Sequence, residues 1–206
     1  MQKDTEKLKA DRDAIINAAE TEFAGKGFYG ARVDEIAALS GINKRFIYKI
    51  FGSKEELYKA VLYRAYKKMA NAEAEIFARC NTCEETIKRV IKGYFEFLNN
   101  NPSYINLILW ENLNKGEYVS NLDFSEIKNK VVDYILKILK EGIESGEFKE
   151  DIEAEQVLLS ILTFTFSYFS NKYTLSNLLK NKIDFSKDFP KRIDNVTEMI
   201  LTYIKR

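Results

Sequence analysis

The 206-residue chain is predicted to be all-α, and three observations point that way. Its two prolines and nine glycines are fewer than sheets joined by tight turns normally use. Apolar residues recur every three or four positions along most of the length, the period of a helix with one buried face. The stretch from Val33 to Phe51 has the layout of two short helices packed around a turn. Within it Ile36, Ile42, Ile47 and Ile50 stand where the helices must meet, and Ala37 is small where they approach. Gly41 occupies the turn, where a backbone with φ > 0 is needed. Asn43 is placed to cap the second helix. From Asn43 to Lys54 there are the cations Lys44, Arg45, Lys49 and Lys54 and no acid. The motif is a helix-turn-helix with a basic second helix.

Ahead of it, Thr5 to Gly25 is a helix with Leu8, Ile15, Ala18, Ala19 and Phe23 inward, stopped by Gly25 or Gly27. Phe28, in the glycine-rich turn that follows, should plug the small core. No strand precedes these glycines, so they are not a dinucleotide loop. After the motif, Ser53-Lys-Glu-Glu56 is a capping box that opens a long helix towards Cys80. At ~1.5 Å per residue that helix is roughly 35 Å of rigid rod. Thr82 or Cys83 to Asn99 is the next helix, and Asn99-Asn-Asn-Pro-Ser103 breaks it. Helices are then expected over Tyr104–Asn114 and Phe124–Ser145. The helix over Glu153–Lys172 is apolar nearly all round, and so must be covered on more than one side. Leu175–Asp188 should hold a short helix and a loop, and Pro190–Lys205 a last amphipathic helix.

Composition narrows the function. A net charge of +1 gives no overall pull towards nucleic acid, so a DNA-binding face must be local. The charged N-terminus lacks a signal-peptide core, and no run is long and apolar enough for a membrane helix. A cytoplasmic protein with no membrane partner is expected. With no histidine, the commonest metal ligand and the usual general base are both missing. Cys80 and Cys83 sit in helical surroundings rather than after a strand, and are expected to be plain reduced thiols. No catalytic site, metal or cofactor is expected.

The sequence resembles the tetracycline-repressor (TetR) family of bacterial transcriptional regulators. The residues that carry this are Gly27-Phe28, Val33, Ile36-Ala37, Gly41-Ile42, Ile47-Tyr48, Phe51 and Ser53-Lys54-Glu55-Glu56-Leu57. The resemblance implies a three-helix DNA-binding head, residues 1–52, and a larger helical domain for ligand binding and dimerisation, residues 53–206. It also implies a homodimer closed by the last two long helices. Lys44, Tyr48 and Lys54 match positions that usually meet DNA, the last two through phosphates. Arg32 stands where the family usually has a phosphate-contacting threonine. Arg45 replaces a frequent glycine and Phe46 a small hydroxyl residue, so operator sequence does not carry over from relatives. Asn43 keeps the cap that the family usually makes with serine.

The residues themselves suggest a division of labour. Cations on phosphates, Lys49 among them, supply affinity, whereas base-edge contacts supply specificity. Arg45 or Lys44 is suited to guanine O6/N7, a contact worth ~1–3 kcal/mol of discrimination. Phe46 either lies on a thymine methyl or packs beneath the helix. Expected partners are double-stranded operator DNA, a second copy of the chain and a small-molecule effector. The Glu153–Lys172 and Pro190–Lys205 helices should form a four-helix interface with their counterparts. Effector-pocket candidates are Tyr94, Trp110, Glu111, Tyr134, Phe164 and Tyr168. Glu111, if it faces inward among aromatics, favours a cationic ligand. The competing functions are a DNA-binding regulator controlled by a protein partner or by abundance, and a small helical enzyme.

Overall fold

Each turn of the fold is set by short-range chemistry that the computed structural model makes explicit. It describes residues 2–76, 81–123, 130–180 and 182–206. These form ten α-helices: α1 Gln2–Gly30, α2 Val33–Ser40, α3 Lys44–Phe51, α4 Lys54–Ile76, α5 Cys83–Asn100, α6 Pro102–Leu113, α7 Lys130–Glu144, α8 Ala154–Ser170, α9 Lys172–Leu178 and α10 Phe189–Ile204. A 3₁₀ turn spans Val119–Asn121. Phe148 and Lys205 make an isolated antiparallel bridge, and no strand forms among the described residues. The protein is all-α.

Caps and breaks explain the boundaries. Helix α1 runs past Gly25 and is interrupted at Gly27, whose φ of 68° and ψ of 177° are non-helical. A Cβ there would lie 2.7 Å from the Trp110 ring, so glycine serves both the backbone and the close approach. Ser53 Oγ accepts from the Glu56 N–H at 3.1 Å, the serine half of a capping box, while the Glu56 carboxylate pairs with Lys59 at 3.1 Å. Thr82 Oγ1 accepts from the Glu85 N–H at 3.1 Å and starts α5. Helix α9 begins earlier than expected, directly after Asn171, because the Leu175 N–H already bonds to the Asn171 carbonyl. The expected end of the long helix at Cys80 and the expected start of the Phe124–Ser145 helix at Phe124 lie outside the described residues.

The chain packs as two compact units that are not contiguous in sequence. The first comprises the described residues of Met1–Lys67 and Pro102–Glu126, the second those of Lys68–Asn101 and Ile127–Arg206. Residues 53–67 and 102–123 therefore pack with the N-terminal helices, on the far side of the 52/53 boundary expected from sequence. In the first unit Ile15, Ala19, Phe23, Ile36, Ile47, Leu57, Tyr58 and Leu62 are completely buried. Each of the buried Ile, Leu and Phe side chains contributes about 1.5–3 kcal/mol relative to exposure. Phe28 joins this core as expected, its ring 5.3 Å from Tyr58 and 4.5 Å from Tyr118. In the second unit α5 packs against α7, α8 and α10 around Ile87, Ile91, Phe95, Leu139, Ile161 and Val196. No helix among the described residues is long and apolar enough to cross a membrane.

Candidate nucleic-acid interface

The helix-turn-helix is built from one glycine and one asparagine. Gly41 closes α2 in the left-handed region, φ 70° and ψ 12°. Asn43 then turns the chain into α3 with its Oδ1 accepting from the Phe46 N–H at 2.9 Å. Asn43 is thus engaged in the cap. Helix α3 is strongly two-sided: Ile47 is buried, and Ile42, Ile50 and Phe51 pack on the same core. Arg45, Tyr48 and Lys49 are exposed, and spacings of three and four keep them on one face. Tyr48 is 38% exposed although it is a large aromatic.

The remaining candidates have partners that sequence spacing did not reveal. Lys44 Nζ pairs with Asp34 at 3.0 Å, an acid from the preceding helix, and this contact raises the lysine pKa. The patch is therefore less purely basic than Asn43–Lys54 alone suggests. Phe46 is half-buried, and Lys49 Nζ lies 5.9 Å from its ring centre. Lys54 opens α4 with its ammonium 4.8 Å from the Phe28 ring centre. Burial lowers its pKa, and Glu22 pulls the other way. Arg32 is exposed at the N-cap of α2, where its backbone N–H donates to Glu22 Oε1 at 3.1 Å. Glu22 is buried: burial raises its pKa, but Lys26 at 2.9 Å and the Arg32 N–H outweigh that and hold it below its usual value. Glu22 and Asp34 were missed in the sequence because their bonds to this patch, from the Arg32 N–H and the Lys44 ammonium, each span ten residues across a turn.

The six effector-pocket candidates are divided between the two units. Trp110 and Glu111 lie in the first unit. The Trp110 indole N–H donates to the Ala24 carbonyl at 3.3 Å. Glu111 is buried. Tyr58 Oη donates to its Oε1 at 2.9 Å, and the Tyr118 and Val119 N–H groups donate to its Oε2 at 3.2 and 2.9 Å. Both oxygens are occupied from within, so the cationic-ligand expectation loses its basis. In the second unit Tyr94 is a core residue and Tyr134 packs at the core margin. Phe164 and Tyr168 do line a cavity of about 560 Å³ between α8, α9 and α10. Leu175, Leu179, Ile183 and Phe185 complete its apolar wall, and Asp188, Lys191 and Arg192 stand at its polar side. A weak signal for this wall exists in the sequence, since Ile183 and Phe185 are isolated apolar residues in a polar segment.

Comparison with known proteins places this geometry. Residues 84–200 match the family model for the tetracyclin repressor-like C-terminal domain, and residues 15–61 match that for bacterial regulatory proteins of the tetR family. The chain is 30% identical over 169 residues to the HTH-type transcriptional repressor NicS of Pseudomonas putida, covering 82% of this chain and 80% of that protein. It is 44% identical over 55 residues to the HTH-type transcriptional regulator RutR of Escherichia coli, 27% of this chain and 26% of that one. Among solved structures, a TetR transcriptional regulator from Chloroflexus aurantiacus superposes with a TM-score of 0.77 at 18% identity, covering 97% and 98% of the two chains. The regulator FadR of Bacillus subtilis, in complex with stearoyl-CoA, does so with a TM-score of 0.65 at 22% identity, covering 92% and 97%.

Proposed function

This chain belongs to the tetR family of bacterial regulatory proteins, and on that premise we propose that it is a ligand-responsive repressor. It binds a palindromic operator as a homodimer and leaves it when a small molecule occupies the larger domain. The observation that carries the DNA-binding half is the outward face of α3, where Arg45, Tyr48 and Lys49 stand exposed over a buried Ile47. In this assignment Arg45 reads a base edge, with Lys44 beside it, while Arg32, Tyr48, Lys49 and Lys54 contact phosphates. Asn43 sets the entry angle of α3, and the half-buried Phe46 supports it from below. The DNA-contacting residues all lie between Arg32 and Lys54, so the functional division stays near residue 52 although the packing division does not.

The effector half rests on the cavity beside Phe164 and Tyr168, and on a ligand-bound relative of the same fold, the stearoyl-CoA complex. The dimer rests on α8 and α10. Leu159 on one is 56% exposed, and Met199 and Tyr203 on the other are 46% and 56% exposed. Paired across a two-fold axis, these faces should bury above ~2,000 Å², the range of permanent interfaces.

The deciding experiment is selection of binding sites by the full-length protein from random duplex DNA, followed by footprinting of the recovered sequence. Two half-sites with centres ~34–36 Å apart, or a multiple, are expected. Recovery of no common sequence, or of a single unrepeated half-site, rejects the proposal.

A further inference from the structure

We propose that the cavity between α8, α9 and α10 is built for a small amphipathic monocarboxylate, its acid group paired with Arg192 and its apolar body against Phe164, Tyr168 and Phe185. This deepens the effector reading above and rests on it for its biological role. The cavity's volume of about 560 Å³ suits a small organic molecule. Its wall is apolar, and Tyr168 adds to that character because its hydroxyl is already spent, donating to the Phe185 carbonyl at 2.8 Å. The same bond holds Phe185 against the cavity.

The charged groups decide the ligand class. Asp188 is satisfied twice, by the Lys191 ammonium at 3.0 Å and by the Asp184 N–H at 3.0 Å. Arg192 is not. It is half-buried, its Nη1 donates to the neutral Asn195 Oδ1 at 3.0 Å, and among the described residues no carboxylate pairs with it. Burial accordingly pushes its pKa down, with only the Tyr168 phenol opposing. A partly desolvated guanidinium without a counter-ion is unfavourable, and an entering anion relieves that cost. The planar fork of five donors matches a carboxylate in bidentate fashion. Asp188, Lys191 and Arg192 sum to a single positive charge, which one negative charge neutralises and two overshoot. A cationic ligand would face two cations and an acid already taken.

The test titrates the full-length protein calorimetrically with octanoate, octanol and octylamine, and with 4-phenylbutyrate and 4-phenylbutanol. Each acid should bind about tenfold or more tightly than its alcohol, as a charge-assisted contact predicts. Arg192→Gln should abolish that preference while leaving alcohol affinity unchanged, and Arg192→Lys should keep part of it. Should Arg192→Gln fail to fold by circular dichroism, Leu179→Asp places a second acid in the wall and should turn acids away more than alcohols. Equal binding of acid and alcohol, tighter binding of the amine, binding of no probe, or a preference that survives Arg192→Gln each overturns the proposal. Operator DNA separates the two levels. Acids that bind through Arg192 without weakening operator binding reject the effector role and leave the site standing. Acids that release operator equally well from Arg192→Gln reject the site and leave the effector role standing.

Discussion

Tyr58 Oη donates to Glu111 Oε1 at 2.9 Å across 53 residues of sequence, with both side chains buried. The second carboxyl oxygen receives the Tyr118 and Val119 N–H groups, so one acid ties α4, the end of α6 and the 3₁₀ turn together. The aromatic rings of Phe23, Phe28, Tyr58 and Tyr118 pack around this knot, mostly edge-on or tilted, at centroid distances of 4.5 to 6.4 Å.

Glu111→Ala should destabilise the protein by roughly 2–4 kcal/mol, because it strands three donors at once, two of them buried. Tyr58→Phe removes one of those donors and should cost about 1–2 kcal/mol. Urea unfolding followed by circular dichroism measures both. A larger loss for Tyr58→Phe than for Glu111→Ala would show that the carboxyl is not the centre of the knot.

Alkaline pH should act on the same place. Burial raises the Tyr58 and Tyr118 phenols; Glu111 adds to the shift at Tyr58, and a contact with Tyr29 adds at Tyr118. A raised folded value means that stability is fully present below the unfolded tyrosine value of about 10 and declines as pH rises beyond it. Absorbance at the tyrosinate band should show these two phenols ionising only together with loss of helicity. Their ionisation in a still-folded chain would contradict the burial.

Gly27→Ala should cost about 2–4 kcal/mol, from a backbone conformation reserved for glycine and from the Trp110 ring in the way. Trp110→Leu in the same chain should recover the steric part and leave the backbone part. Additive losses in a double-mutant cycle would show that the 2.7 Å approach to Trp110 is not what the glycine serves.

On DNA, Arg45→Ala should relax preference at one operator position by ~1–3 kcal/mol. Lys54→Ala should weaken all sequences alike and reduce the salt slope by about one. Asp34→Asn releases Lys44 from its 3.0 Å partner, and should tighten DNA binding and steepen the slope while leaving the melting temperature unchanged. Uniform losses for both cation variants, or no gain from Asp34→Asn, would redistribute these roles.

For assembly, the wild-type protein should sediment as a dimer at micromolar concentration. Leu159→Glu together with Met199→Glu should give a folded monomer that binds operator far more weakly. A wild-type monomer, or a double variant that remains dimeric, would place the interface elsewhere.

The sequence by itself determined the elements that depend on neighbours a few residues apart. Helical period, the αL glycine at 41, the Asn43 cap and the Ser53 cap are all interactions within one turn, and each appears where spacing puts it. The exposed basic face of α3 follows from the same periodicity. Tertiary structure alone decided which distant residues complete each other. Asp34 on Lys44 and Phe28 under Lys54 depend on helices folding back on themselves. So does the allocation of Glu111, which as a lone acid in an apolar helix fits a ligand contact and an internal knot equally well. Three donors from segments that sequence spacing cannot align made it a knot. Conversely, Arg192 sits in an ordinary amphipathic pattern, and only the packing of α8, α9 and α10 leaves it half-buried beside an apolar cavity. Local hydrogen bonding is written in adjacent residues, whereas burial and charge pairing are properties of the folded neighbourhood.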